Sequence, residues 1–581
     1  MNRVPLTRLA GAAAFQAKRA LLHTLSSPAR AMSMKVMRPA PFSDVKPKLI
    51  FGDKVRGETL INGDFRYAGQ QLNVGQQGDP WSVACPSERF AAWLHGFDWL
   101  EDIGRVRRPS AEVRARFLVD GWINIYGGYN HFAWDVSVVT PRLYSWLVNW
   151  SPLLSIDSGG EAGAARRSSV LRQMKYLRKN YGNTEAGLPR LMAALTLAMG
   201  GARLADKLDA YLGRGLDWLD DEIELQILPD GGHISRSPEA AMKALEALMV
   251  LDEILDARGI ARTKAMGRAI DRLQPILPFF LHSDGKLACF NGGGEGDKKR
   301  IAKILKKAAL TSRPFGYSPH TGYQRFEYGN SVMIIDTGKT AEHPHDIQAH
   351  LAPLAFELST ETGRMIVNCG WSTEQPMSWR TPVRSTAAHS ALTLDGKSAG
   401  DIIEGGYRER LLGSVVERDV GEVNATRKEQ VTGVWLETSH SGYMDQTGLM
   451  HRRRFYMTQE GQDIRGEDSL YLPVGETPKR RDEIPFTIRF HLHPNCRATL
   501  AQDQRSALII QGGKTGWRMR TDGGLLSIEQ SYYLGEGDKP QKSSQIVIRG
   551  RAFGDSDGET QSNRVRWSLR LLEARNNSRA G

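Results

Sequence analysis

Near residue 315 the hydrophobic pattern of this chain changes period, and few architectures accommodate that change. From about 81 to 310, apolar residues recur at helical spacing over 110–125, 141–154, 165–181, 185–200, 203–223, 237–257, 261–281 and 298–310, with Gly or Pro between segments. Serial helices with short links predict an array that closes into a bundle or an (α/α) toroid. Beyond 315 the runs shorten and alternate. Segments 323–328, 331–336, 354–358, 365–368, 391–394, 434–439, 453–457, 488–492, 507–510, 525–528, 545–549 and 564–571 read as strands separated by turn residues. Many short strands with Gly-rich turns predict a large antiparallel β-sandwich.

The expected fold is therefore an α+β multidomain chain. A basic leader and irregular segment covers 1–80, a helical toroid 81–312 and the sandwich 313–575. A length of 581 residues is too great for one ordinary core. The net charge of +12 favours a polyanionic partner. The basic residues are dispersed rather than gathered in a tail, which argues against nucleic acid. The four cysteines, Cys85, Cys289, Cys369 and Cys496, lack metal-finger spacing. No apolar run is long enough to span a bilayer. The leader carries Arg3, Arg8, Lys18 and Arg19 with no acid before Asp44. It reads as a basic amphipathic helix or a solvated leader, and it makes a weak export signal. The basic run Lys298, Lys299, Arg300, Lys303, Lys306 and Lys307 reads as a solvated helix face near a domain boundary, or as a polyanion contact.

The densest polar stretch lies at 343–370. His343, His345 and His350 precede an apolar segment at 354–358, a turn at Thr362-Gly363 and a second run at 365–367, which predicts a hairpin-like strand pair. In 486–493, alternation puts Arg489, His491 and His493 on one face and Phe490 and Leu492 on the other. The two histidines are spaced to share a metal, or to line a strand face open to solvent or a cleft.

Five segments carry a family resemblance. DGGHISRSP at 230–238 resembles a signature of the heparinase II/III family. So do QAH at 348–350 with the following strand pair, RSTAAHSALTLDG at 384–396, WLHGFDWL at 93–100 and IRFHLHP at 488–494. The resemblance covers about 80 to 570 and keeps the segments in order. It implies a toroid joined to a sandwich, an active site between them, and β-elimination at a uronic acid. Such a reaction needs neutralisation of the sugar carboxylate, a base for the ring proton and an acid for the leaving oxygen. The resemblance assigns proton transfer or carboxylate binding to His233, Arg236, His350 and Tyr181. It assigns substrate binding to Arg190, Arg384 and Gln348. His350, Asn368 and His389 align with a metal triad, implying one divalent ion, Zn or Ca, in the sandwich. The implied partner is an anionic polysaccharide, and the implied location is the cell envelope or periplasm.

The chain also departs from the family pattern. Segment 180–185, NYGNTE, lacks the usual histidine, and Glu239-Ala240-Ala241 stands where a catalytic tyrosine is usual. Gln348 and Ala352 replace the outer members of His-x-His-x-Asp, and Asn368 replaces an acid. His343 and His345 are candidates to replace the absent base. Two further readings follow. One is a glycan-binding or envelope-assembly protein that kept the fold without the chemistry. The other is a toroid glycoside hydrolase using carboxylates such as Glu185 and Asp230.

Overall fold

The computed structural model describes residues 41–155, 160–204, 209–309, 313–480, 482–559 and 563–572, together with Ala13. The leader's amphipathic pattern otherwise lies outside the described residues. The fold is the expected one, a helical half followed by antiparallel sheets. Among the described residues, no helix is long and apolar enough to cross a membrane.

The reading of 40–80 as irregular needs correction. Lys54–Ile61 is a helix capped by Asp53, and Asp64–Tyr67 pairs with Gln70–Asn73 as a hairpin. Both elements are short, and their order comes from burying Leu60, Ile61 and Phe65 against the helical core. The later helices follow the periodicity at Pro109–Tyr126, Val136–Val148, Glu161–Asn180, Leu188–Arg203, Pro238–Ala257 and Lys264–Phe279, but the segment expected at 203–223 becomes an α-helix only at Arg214–Gln226, after a π-helical turn at Asp209–Gly213. The segment 93–100 turns out to be packing. Phe97 stacks on Trp99 and Trp81 with ring centroids 4.8 and 5.2 Å apart, and buried His95 accepts the Trp122 indole N–H at 3.1 Å.

The basic helix Lys298–Ala308 serves mainly as a joint within the helical half. Arg300 pairs with Glu101 and Glu246, Lys307 pairs with Glu253, and Lys303 donates to the Ile50 carbonyl.

Two sheets form the second half. In order, one comprises Val423–Gln430, Gly433–His440, Met450–Thr458, Asp463–Tyr471, Arg564–Leu571, Thr515–Thr521, Ser506–Gln511 and Cys496–Leu500. The other runs Leu526–Tyr533, Gln541–Ala552, Ile484–Leu492, Gly363–Val367, Phe356–Thr360, Ser331–Asp336, Tyr323–Tyr328 and Tyr317–Ser318, with Leu392–Leu394 attached to Ile484–Leu492. Phe356 and Phe490 from the second sheet meet Phe455 and Trp567 from the first in a shared core.

The second sheet is buried on both faces near the helices. In Ser331–Asp336, Met333 and Ile335 point into the sandwich, while Val332 and Ile334 join the helical core. Period-2 alternation therefore feeds two different cores from one strand. Its neighbour Phe356–Thr360 does the same with polar groups. Glu357 accepts His282 Nε2 at 2.9 Å, and Ser359 meets His282 Nδ1 at 2.9 Å. The two halves thus share a continuous, hydrogen-bonded interface.

Candidate functional site

Residues 230–238 join the two halves at that interface. Asp230 accepts from Ser318 Oγ, His320 N and Thr321 N at 2.7–2.8 Å through Oδ2, and from Thr321 Oγ1 and Gly232 N through Oδ1. These bonds hold its carboxyl below the ordinary range against the opposing effect of burial. Gly231 sits at φ +86°, and a Cβ there would meet the Arg272 carbonyl at 1.9 Å. Ser237 and Pro238 are the N-cap and first residue of Pro238–Ala257, the usual chemistry of a helix start.

Arg236 is a strut between the halves. Its guanidinium donates to the carbonyls of Thr321 (2.7 Å), Lys339 (2.8 Å) and Gly322 (3.1 Å) and pairs with Asp336. It lies over the Tyr323 ring, 4.8 Å from the centroid. The fork is thereby consumed by protein acceptors, where the resemblance implied a sugar carboxylate.

His233 is equally engaged. Its Nδ1 accepts from Ser235 N (3.1 Å) and meets Ser235 Oγ (2.7 Å), so its proton sits on Nε2 and goes to Gln226 Oε1 at 2.9 Å. Gln226 Nε2 donates to Glu222 Oε2 at 2.6 Å and to the Gly187 carbonyl, and Glu222 Oε1 accepts the Tyr181 hydroxyl at 3.2 Å. One hydrogen-bond chain therefore links Tyr181 to Ser235. Tyr181 stacks on Trp218 at 4.1 Å. Burial, reinforced by Glu222, pushes its phenol up, and burial pulls His233 down to about 3. A neutral imidazole with both nitrogens occupied has no lone pair left to take a proton.

The sandwich side has its own relay. The Ser385 carbonyl takes the His389 Nδ1 proton at 2.8 Å, leaving His389 Nε2 to accept from His350 Nδ1 at 2.9 Å. His350 Nε2 in turn accepts the Gly292 N–H at 3.0 Å. Each tautomer is fixed by its neighbour, and burial keeps both rings neutral, His389 at about 4.

Asn368, the third member of the expected metal set, accepts Ser390 N through Oδ1 at 3.1 Å and donates its own N–H to Glu357. His350 and His389 do come together, but their facing nitrogens bond each other, and the Asn368 oxygen is engaged elsewhere. Among the described residues, no group of three or more His, Cys, Asp or Glu is arranged to hold a metal ion. The residues present do not fit the implied cation. His491 and His493 do not share one either, because His491 bonds Ser531 Oγ and the Ala387 carbonyl.

The remaining candidates lie on or near the 343–350 loop. Arg384 is buried and donates to the carbonyls of Ala349, Ser414 and Asp346, which shapes the 343–350 loop. Arg190 donates to the Thr184 carbonyl. Exposed Gln348 accepts from Arg380. His343 Nδ1 lies 3.2 Å from Asp346. His345 differs from all of these. It is 6% exposed, and its Nδ1 is buried with no hydrogen-bond partner. Burial lowers its pKa, and Arg190 lowers it further. Arg380 Nη1 is likewise buried and unpaired, and burial next to Arg384 pulls the guanidinium to about 9. The surroundings of the 343–350 loop are thus electropositive through Arg190, Arg380 and Arg384, while both ring nitrogens of His233, His350 and His389 are bonded to protein.

Four contributors gave no sequence signal. Asn291 takes His350 N–H on Oδ1 and donates to the Tyr323 hydroxyl. Glu222, Asp336 and Arg380 also belong to the site through contacts that cross between elements.

The Heparinase II/III-like, C-terminal family pattern matches residues 311–568. FtsZ-localized protein C of Caulobacter vibrioides is 34% identical over 526 residues, covering 90% of this chain and 88% of that protein. Among solved structures, Heparinase III superposes with a TM-score of 0.65 at 14% identity, covering 98% of this chain and 92% of the other. A mutant of heparan sulfate lyase HepC from Pedobacter heparinus gives 0.61 at 15% identity, covering 98% and 91%. At those identities the structural matches speak for the fold alone.

Proposed function

The chain belongs to the heparinase II/III-like family, and we propose that it is a non-catalytic member acting as a binding protein where FtsZ assembles. The observation that carries this reading is that His233, Arg236, His350 and His389 are all committed to protein partners. His233, His350 and His389 have fixed neutral tautomers with both ring nitrogens bonded. Arg236 is spent on the domain joint. Elimination needs a free base and a free carboxylate binder, and these residues supply neither. The name of the Caulobacter relative supports the placement. A fluorescent fusion should colocalise with FtsZ in dividing cells, and the purified chain should bind purified FtsZ. A diffuse fusion together with no binding would reject the reading.

A uronate lyase in the same cleft is the second reading. It is favoured by His345, whose buried Nδ1 has no partner and lies in the field of Arg190. In that reading His345 takes the ring proton, an arginine offsets the sugar carboxylate, the glycosidic C–O bond breaks as the ring double bond forms, and water protonates the departing oxygen. Its product is an unsaturated uronic acid that absorbs in the near ultraviolet, and its setting is the periplasm. Protease accessibility in spheroplasts distinguishes that compartment.

A further inference from the structure

The outer face of the sheet that turns away from the helices carries a groove of about 720 Å³. Cross-strand register sets five residues in a row over it: Trp435, Tyr456, Arg465, Ser568 and Arg520. The row spans four strand spacings, about 19 Å. That is the length of about six extended residues. One end is aromatic, with Trp435 43% exposed and its ring 4.6 Å from Tyr456. The other end is cationic. Arg518 stands directly opposite Arg570, and Arg520 follows on the same face.

Like charges directly opposite on a sheet destabilise it. Asp463 neighbours Arg570 in register but pairs with Arg465 at 2.8 Å. Glu467 is taken by Arg454 and Arg566. Among the described residues, Arg518, Arg520 and Arg570 have no carboxylate within ion-pair distance. Three exposed guanidinium groups thus stand together without an ion pair, Asp503 acting on Arg520 only at longer range, and exposed Trp435 with half-buried Tyr456 lies at the other end of the row.

We propose that this groove docks an acidic linear peptide segment of a partner protein, with an aromatic side chain on Trp435–Tyr456 and carboxylates on Arg518, Arg520 and Arg570. Guanidinium forks match carboxylates in bidentate geometry. Asp463, Glu467 and Asp522 also line the groove. They would repel a uniformly anionic glycan, whereas a peptide can set uncharged residues over them. The proposal goes beyond the reading of the cleft and holds whether or not the cleft is catalytic.

The test is fluorescence anisotropy with a short labelled peptide that carries Phe at one end, two uncharged Ser residues in the middle and three acidic residues at the other end. The unmodified protein should bind it, more weakly as salt rises. Arg518→Glu with Arg520→Glu should weaken binding about tenfold, taking about two- to fivefold for each exposed pair. The milder pair Arg518→Gln with Arg570→Gln should weaken it severalfold with an unchanged unfolding midpoint. His345→Ala should leave it unaltered. No binding by the unmodified protein would overturn the proposal, as would equal binding by both arginine variants. So would arginine-dependent binding of a heparin oligosaccharide or of anionic phosphatidylglycerol vesicles where the peptide fails.

Discussion

Replacing Arg236 by Ala separates a structural role from a chemical one. The change removes donors to three carbonyls and leaves Asp336 buried, its Oδ1 then bonded only to Gly338 N–H. Both side chains of the ion pair are 8% exposed. Removing one partner of such a pair costs about 3–5 kcal/mol, because the other charge stays buried and uncompensated. That is a large share of the ~5–15 kcal/mol by which folded proteins are stable. Tryptophan fluorescence in urea reads both halves, since Trp122 and Trp146 lie in the helices and Trp517 and Trp567 in the sandwich. Arg236→Ala should unfold at clearly lower urea, and the halves should lose their shared transition. Arg236→Lys should recover part of the loss, since it keeps the charge without the fork. Arg236→Met with Asp336→Leu should cost less than the two single changes added together. An unchanged midpoint for Arg236→Ala would refute the strut and free the residue for another role.

Acid should destabilise the protein through its buried histidines. His233 and His491 are pulled to about 3 and His95 and His389 to about 4, chiefly by burial, against an unfolded value near 6.5. Their folded pKa values are lowered, so the stability they contribute is full above 6.5 and is lost as pH falls toward 4. Each costs about 1.4 kcal/mol per pH unit in that window. Urea midpoints at pH 7, 6 and 5 check this; His389→Gln should reduce the slope by one proton, and a flat profile would contradict it. Gly232→Ala should destabilise the domain joint by about 1–3 kcal/mol, because its Cβ would fall 1.7 Å from Thr321 Oγ1. Thr321→Ala should rescue part of that loss in the same urea assay.

The change of period near 315 made both halves legible, since long helical segments and short alternating runs bury their apolar faces in different ways. The small elements of 54–73 were not legible. Lys54–Ile61 contains Gly57 and has little amphipathic pattern, so packing rather than local sequence decides it. The strands Val423–Gln430 and Thr515–Thr521 also escaped notice, the first because its residues are largely exposed and polar. The neighbourhood of 230–238 and 343–350 was legible as a place and illegible as a set of roles. Residues 230–238 stand out in the sequence, yet the partners of Arg236 lie 85 to 103 residues away. The tautomer of His389 depends on Ser385 four residues before it, but that of His350 depends on Gly292, 58 residues away.

The central claim is that His233, Arg236, His350 and His389 are committed to protein and leave no elimination chemistry. It is tested most directly by incubating the purified full chain with heparan-type, alginate-type and bacterial exopolysaccharide uronate polymers and following near-ultraviolet absorbance. The structure predicts no rise above the protein-free blank with any of them. A steady rise with one polymer, abolished by His345→Ala in a variant that unfolds at the same urea concentration as the unmodified chain, would contradict it.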